Sequence, residues 1–154
     1  ENIFEILYHT PKLKNETELY RDKFDKLDKI DFHYLDEDFT KKTPFAFKLR
    51  NKSIDIENWR EMLVKTCHLL FKMDKQKFKK FINNEEFKSS TRYYFTYEDN
   101  NITPTLKMNL DNEIIYIDMS FSTNNITKLI KKMVMEYSID YEQFKIYLEE
   151  DYTK

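Results

Sequence analysis

The chain has 154 residues, of which 35% are charged, 16% are aromatic and none is glycine. This length is enough for one domain with a true core, and 13 Phe and 11 Tyr supply large side chains to fill it. The lack of glycine excludes the phosphate-binding loop, the dinucleotide-binding turn and the nucleophile elbow, since each needs that residue. The single cysteine excludes an internal disulfide and a zinc site built from cysteines.

Charge is distributed unevenly along the chain, although its net value is only −2. Residues 1–44 carry a net charge of −3, residues 45–92 carry +6 and residues 93–154 carry −5. If these blocks stay apart in the fold, the middle one attracts an anionic partner; if they pack together, the charges cancel. There is no apolar run of 18 residues and no signal-peptide pattern, which predicts a cytoplasmic protein without a membrane partner.

The first predicted element is a helix over residues 16–31. Its apolar residues recur at helical spacing, with alternating Asp and Lys between them: Tyr20, Phe24, Leu27 and Ile30. The segment that follows is first acidic and then basic, and it ends at Pro44. We therefore predict an N-terminal helical arm and connector over residues 1–43 and an α+β domain over residues 44–154.

Two short strands and two helices are predicted next. Residues 45–49 and 53–56 read as strands on either side of Asn51, the residue best suited to a left-handed turn when glycine is missing. Asn58 and Glu61 form a capping-box pattern that starts a helix over residues 59–73. A second helix, over residues 75–82, carries apolar residues on one side and lysines on the other.

The last third of the chain contains the remaining predicted strands and one long helix. Residues 91–97, 106–110 and 113–121 read as strands, and the apolar run of the third predicts burial on both faces. Ser122 or Thr123 caps an amphipathic helix that extends to Tyr137, and residues 144–148 alternate as a terminal strand. Together the elements predict an α+β fold with two or three helices packed on a small mixed β-sheet.

Metal chemistry has little support in the sequence, so no metal and no cofactor is predicted. The three histidines are far apart in the chain and lack metal-ligand spacing: His9, His33 and His68. Cys67 lies on the apolar face of a predicted helix and reads as a small hydrophobic residue. Three consecutive acids near His33 could bind a divalent cation, but a mobile acidic connector is the preferred interpretation: Asp36, Glu37 and Asp38.

The sequence contains one pattern of residues that is typical of a catalytic site. Asp74, Glu86 and Lys88 resemble the Asp…Glu-x-Lys arrangement of restriction-type nucleases, in which acids hold magnesium and a lysine orients water. In that arrangement the Glu-x-Lys triplet lies on a strand, whereas here Asp74 falls between two predicted helices and Glu86 follows a loop. We therefore predict that the chain is not an enzyme.

The clearest positive signal is a basic run followed by aromatic residues. Lysine neutralises phosphate without reading sequence, and aromatic side chains on a strand can stack on unpaired bases. The predicted nucleic-acid-binding residues are Lys72, Lys75, Lys77, Lys79, Lys80, Lys88, Arg92, Tyr93 and Tyr94. The chain has only four arginines, which disfavours dense base reading. The alternative interpretation is a solvated helix face next to aromatic residues that fill a core.

A wider pattern of residues runs from Pro44 to about Leu148. Its signposts are Pro44-Phe45-x-Phe47-x-Leu49, Asn58-Trp59, Phe78, Arg92-Tyr93-Tyr94-Phe95, Ile115-Tyr116-Ile117-Asp118, Ser120 and Asn125. In this order the chain resembles a C-terminal accessory module of bacterial restriction, defence and mobile-element proteins. The resemblance implies a targeting or assembly part that accompanies a separate catalytic domain, with no activity of its own. The chain departs from the pattern where the hairpin would carry glycine, since Asn51 and Lys52 stand there.

Two functional hypotheses follow. The first is a non-catalytic, DNA-contacting module of a bacterial plasmid, mobile-element or defence protein. It requires that the cations of residues 45–92 share one surface that flanking carboxylates do not neutralise. The second is a protein-interaction or dimerisation domain without nucleic-acid contact, suggested by the alternating charge blocks and the apolar stripe of residues 16–31.

Overall fold

The computed structural model describes residues 27–99 and 103–152, which contain four α-helices and six β-strands. The helices are α1 (Trp59–Met73), α2 (Lys75–Lys79), α3 (Thr123–Glu136) and α4 (Glu149–Tyr152). The strands are β1 (Pro44–Leu49), β2 (Lys52–Asp55), β3 (Phe95–Thr96), β4 (Thr105–Leu110), β5 (Glu113–Asp118) and β6 (Phe144–Leu148). The predicted α+β class is confirmed. Within the described ranges, no helix has the length and apolarity needed to cross a membrane.

The predicted helix over residues 16–31 lies mostly outside the described residues. At its end, Leu27–Lys29 forms a single 3₁₀ turn. The arm-and-domain division near residue 43 stays a prediction. By compactness the described residues form two units: residues 67–99 with 103–121, and residues 27–66 with 122–152. The division falls within α1, between Thr66 and Cys67.

The strands form two separate antiparallel sheets, with strand orders β2-β1-β6 and β3-β5-β4. The sequence pointed to a single mixed sheet, so this part of the prediction is corrected. The physical reason is that alternation identifies a strand but not its neighbour, because strand pairing depends on contacts between distant parts of the chain. Strand β6, for example, pairs with β1 across about a hundred residues.

The unit formed by residues 27–66 and 122–152 has a core built on β1, β6 and α3. The rings of Phe47 and Phe144 stack with centroids 4.9 Å apart and planes 7° apart. Helix α3 turns its buried face inward through Ile126, Leu129, Ile130, Met133 and Val134, which matches the predicted spacing. Phe39 packs 4.9 Å from Trp59, whose indole N–H donates to the carbonyl of Lys42. This packing places residues 27–43 in the same compact unit as β1.

The other unit has a core of phenylalanine rings around Phe78. The rings of Phe71, Phe81 and Phe95 lie 5.9, 5.5 and 5.7 Å from that of Phe78. In β5, Ile115 and Ile117 are buried while Ile114 is 42% exposed. The prediction of burial on both faces of this strand is therefore wrong, since this antiparallel sheet buries one face.

Several predicted elements are shorter in the structure. Helix α2 ends at Lys79, and the next amides donate to carbonyls three residues earlier. The strand predicted over residues 91–97 is reduced to Phe95–Thr96, because Ser89 and Arg92 close a turn with an N···O distance of 2.7 Å. Strand β5 stops at Asp118, whose carboxylate accepts from the amide of Ser120.

The helix starts agree with the sequence signals. Asn58 accepts from the amide of Glu61 and Ser122 accepts from that of Asn125, so both predicted caps are confirmed. The turns are unusual because the chain has no glycine. Five described non-glycine residues have a positive φ: Lys41, Arg50, Asn83, Asp111 and Ser138. In the β1–β2 turn this residue is Arg50, and not Asn51 as predicted.

Candidate functional site

The lysines of α2 face carboxylates of the β4–β5 turn. Lys75 Nζ lies 3.0 Å from Asp111 Oδ2, and Lys79 Nζ lies 3.7 Å from Glu113 Oε1. Both acids belong to the C-terminal acidic block of the sequence. The turn therefore brings negative charge directly onto the surface that was predicted to attract phosphate.

Lys88, Tyr93 and Glu85 form a small surface cluster. Lys88 Nζ lies 3.1 Å from Glu85 Oε2 and 5.2 Å from the centre of the Tyr93 ring. The hydroxyl of Tyr93 donates to Glu85 Oε1 at 2.8 Å. This hydrogen bond, together with the nearby Lys88, lowers the pKa of the Glu85 carboxyl. The same hydrogen bond raises the pKa of the Tyr93 hydroxyl, against the opposing charge of Lys88. Tyr93 is thus turned toward a carboxylate.

Arg92 is held at the end of β5. Its Nε donates to Asp118 Oδ2 at 3.2 Å, and its Nη2 donates to the hydroxyl of Ser120 at 3.0 Å. Asp118 is 4% exposed, and its other oxygen accepts from the Ser120 hydroxyl at 2.6 Å. The guanidinium therefore compensates a buried carboxylate, and this role ties it to the fold.

The other predicted contacts do not restore a basic surface. Lys72 and Lys80 are exposed, Lys77 is half-buried, and Tyr94 packs against Phe121 with centroids 5.0 Å apart. All these residues belong to the unit of residues 67–99 and 103–121, which carries eight basic and eight acidic side chains. Four of the seven predicted cations pair with acids, and three of those acids come from the C-terminal flank. The condition that the DNA hypothesis requires is not met at these positions.

The residues of the nuclease-like pattern form a helix cap, an ion pair and a turn. Asp74 caps α2 by accepting from the amide of Lys77 at 3.0 Å, and Lys88 pairs with Glu85. Glu86 is exposed in a turn, where its amide donates to the side chain of Asn84. Across the two described ranges, no group of three or more His, Cys, Asp and Glu residues is arranged to hold a metal ion. Burial raises the pKa of the Cys67 thiol and keeps it protonated.

The acidic segment near His33 is occupied by local hydrogen bonds. Asp38 accepts from the hydroxyl and amide of Thr40 and from the side-chain amide of Asn124. These bonds lower the pKa of Asp38 to about 2. Glu37 accepts from His33 and from the amide of Tyr34, so it also has partners within the protein. These acids are therefore tied into the connector by hydrogen bonds, whereas the sequence predicts a mobile acidic connector.

The feature that sequence reasoning missed is a cleft of about 670 Å³ in the unit of residues 27–66 and 122–152. We call it the Phe32 cleft. It is lined by Leu27, Asp28, Lys29, Ile30, Asp31, Phe32, His33, Lys48, Lys145 and Tyr147. Phe32 is 42% exposed, and Lys145 Nζ lies 4.6 Å from the centre of its ring. The cleft has a wall formed by residues 27–33, which faces strands β1 and β6. No local sequence pattern predicts this cleft, because its wall and these strands are more than ten residues apart in the sequence.

Three apolar residues of the Phe32 cleft lining belong to a small hydrophobic cluster: Leu27, Ile30 and Tyr147. Leu27 packs with Phe45, Ala46 and Tyr147, and the partly buried Ile30 joins them. The wall is fixed to β6 by two backbone hydrogen bonds of 2.8 Å between His33 and Ile146. The wall that carries Phe32 is therefore attached to the sheet at its base.

A second cavity of about 360 Å³ lies near the acidic connector. Its rim combines acids with lysines: Asp36, Glu37, Asp38, Lys128 and Lys131. Lys131 Nζ lies 4.3 Å from the centre of the Tyr141 ring, and nearby Asp36 raises the pKa of the Tyr141 hydroxyl. Since both signs of charge are present, this cavity favours no single class of ligand.

Comparison with known proteins gives no relative of this chain. No protein-family model, no curated protein and no solved structure matches it. The resemblance to accessory modules of restriction and mobile-element proteins therefore stays a prediction.

Proposed function

We propose that this chain is a protein-interaction module that binds a partner segment in the Phe32 cleft. One observation carries the proposal: an exposed aromatic ring stands in a cleft whose lining combines apolar and charged side chains. Protein interfaces have this composition, with aromatic anchors at the centre and polar residues around them.

The position of Phe32 supports this role. Its ring packs edge-on against Tyr34 with centroids 5.4 Å apart, and Tyr34 packs in the same way against Tyr141 at 6.1 Å. A ring whose orientation is already restricted by packing against its neighbour loses little rotational freedom when a partner binds it. Phe32 thus offers exposed apolar surface at a low entropic cost.

The nucleic-acid hypothesis has less support. Carboxylates within about 4 Å of Lys75, Lys79 and Lys88 weaken attraction to phosphate. Exposed Lys72 and Lys80 are the residues that still favour it. A direct comparison of peptide and DNA binding distinguishes the two hypotheses.

The test is selection of a random twelve-residue peptide library on the full chain. We expect recovered peptides to bind the native protein and to lose binding to Phe32→Ala, because the variant removes the anchor ring. Met135→Ala is the matched control, since Met135 is another exposed apolar residue, on α3 and outside the cleft lining. Peptides that bind Phe32→Ala as well as the native protein would contradict the proposal.

The DNA arm uses the triple variant Lys75→Glu, Lys79→Glu and Lys80→Glu in a low-salt gel shift. We expect neither the native protein nor the variant to retain duplex or single-stranded DNA. Retention that is specific to the native protein would favour the nucleic-acid hypothesis over the proposed function.

A further inference from the structure

The lining of the Phe32 cleft contains two lysines in direct cross-strand register. Lys48 of β1 lies opposite Lys145 of β6 in the antiparallel pairing. Side chains of directly opposite residues project from the same face of a sheet, with Cβ atoms roughly 4.5–5.5 Å apart. Both lysines therefore lie on the same face of the sheet, where they line the cleft.

This arrangement is electrostatically unfavourable unless a negative charge is added. Like charges on directly opposite strand residues destabilise a sheet. In the described ranges, no carboxylate forms an ion pair with Lys48 or Lys145, although other lysines of the chain have such partners. The lysine pair is thus a concentrated positive charge within a concave surface, and none of the described carboxylates forms an ion pair with it.

The cleft wall does not cancel this charge. It carries Asp28, Lys29 and Asp31, so both signs are present and its own net charge is small. The remaining cationic group of the cleft, His33, is already held between Glu37 and Asp151. The anion-attracting character is therefore localised at Lys48 and Lys145, next to the ring of Phe32.

On the basis of the proposed function, we infer that the partner is an acidic peptide segment. One of its carboxylates bridges the ammonium groups of Lys48 and Lys145, and a neighbouring apolar side chain packs against Phe32. The exposed apolar ring of Phe32 favours a peptide side chain over the polar backbone of a nucleic acid. Charge complementarity selects the acidic segment, and the exposed ring supplies the apolar contact.

The probe is a fluorescein-labelled, capped decapeptide, Glu-Glu-Leu-Ser-Glu-Glu-Leu-Ser-Glu-Glu, measured by fluorescence anisotropy with the full chain. A matched peptide carries lysine in place of each glutamate. We expect the acidic peptide to bind at least about tenfold more tightly, and its affinity to fall as salt concentration rises.

The variant Lys48→Glu with Lys145→Glu is expected to weaken binding of the acidic peptide by about tenfold or more. It keeps two like charges opposite one another, so the repulsion within the sheet is similar to that in the native protein. The control is Lys52→Glu with Lys107→Glu, which changes two exposed lysines outside the cleft by the same total charge. This control is expected to bind within about twofold of the native protein. Circular dichroism confirms that both variants are folded.

Three results would overturn the inference. Equal affinity for the acidic and basic peptides would reject it, and so would equal weakening by both double variants. Displacement of the peptide by single-stranded (dT)12, with the same dependence on Lys48 and Lys145, would assign the cleft to nucleic acid. If library peptides still require Phe32 while the acidic decapeptide does not bind, the inference fails and the proposed function stands. If library peptides do not require Phe32, the proposed function itself fails.

Discussion

The imidazole Nε2 of His33 lies 2.6 Å from Asp151 Oδ2, which joins the wall of the Phe32 cleft to α4. The other ring nitrogen, Nδ1, lies 2.8 Å from Glu37 Oε1. A neutral imidazole can donate only one hydrogen bond, so the two carboxylates together favour the doubly protonated ring. The side chain of Asp151 is 8% exposed, and it therefore depends on this partner.

The arrangement raises the pKa of His33 above its ordinary value of 6.5. Burial by itself disfavours the charged ring, but the hydrogen bonds and charges of Glu37 and Asp151 outweigh it. Lys48 and Lys145 line the same cleft and oppose protonation, whereas Asp28 and Asp31 favour it. The net result is a ring that stays charged at a higher pH than free histidine.

The first prediction concerns pH. Because the folded-state pKa is raised, the stabilisation by His33 is fully present below pH 6.5 and is lost as pH rises through the folded pKa. We expect the Tm to fall by a few degrees above that point, and the NMR titration of His33 to place its pKa above 6.5. The variant His33→Gln should lose this pH-dependent component. A folded-state pKa at or below 6.5 would contradict the prediction.

The second prediction concerns the lysine pair that lines the Phe32 cleft. Lys48→Glu converts a like-charge pair with Lys145 into an opposite-charge pair, so it should raise the free energy of unfolding by roughly 0.5–1 kcal/mol. Urea unfolding at low salt measures the change, and added salt should reduce it. Lys52→Glu is the control, because its strand neighbour is Leu49. Equal effects of the two substitutions would show that register is not the cause.

The third prediction concerns Asp118, the buried carboxylate at the end of β5. Asp118→Ala removes the acceptor for Arg92 and Ser120, and it should lower the free energy of unfolding by about 2–3 kcal/mol. Lys75→Ala should leave the free energy nearly unchanged, because the pair of Lys75 with Asp111 is exposed. A small effect of Asp118→Ala in urea unfolding would show that the hydrogen bonds of Asp118 with Arg92 and Ser120 contribute little to stability.

The fourth prediction concerns the end of α3. Ser138 has a φ of 57°, its amide donates to Met135, and the amide of Ile139 donates to Val134. This is the bonding of a Schellman motif, in which glycine is the preferred residue at the left-handed position. Ser138→Gly should stabilise the protein by about 0.5–1 kcal/mol, whereas Ser138→Ala should not. Thermal unfolding of the two variants provides the test.

Local chemistry explains the predictions that succeeded. The caps Asn58 and Ser122 can be predicted from the sequence because helix capping is a short-range interaction. In each cap, the side chain accepts a hydrogen bond from the backbone amide three residues later. The terminal strand was readable from alternation, and its observed bounds, Phe144–Leu148, agree with the sequence. The sequence predicts Asn51 as the left-handed residue of the β1–β2 turn, whereas the structure has Arg50 there, because the precise turn geometry depends on the strand pairing.

The predicted basic surface shows why charge along a chain does not define charge in space. Lys75 and Lys79 belong to the positive block, yet the β4–β5 turn sets Asp111 and Glu113 beside them. That turn follows α2 by some thirty residues, so no local spacing indicates the pairing. The same holds for Lys48 and Lys145, which become neighbours only through the pairing of β1 with β6.

The amino-acid order alone determined the α+β class, the helix starts and most strand positions, since these follow from periodicity and from short-range hydrogen bonds. It also excluded glycine-dependent nucleotide sites. Only the tertiary structure decided which strands are neighbours, which cations are neutralised and where a cleft opens. These properties depend on contacts between distant segments, whose free energy is set by burial and charge in three dimensions and leaves no periodic trace along the chain.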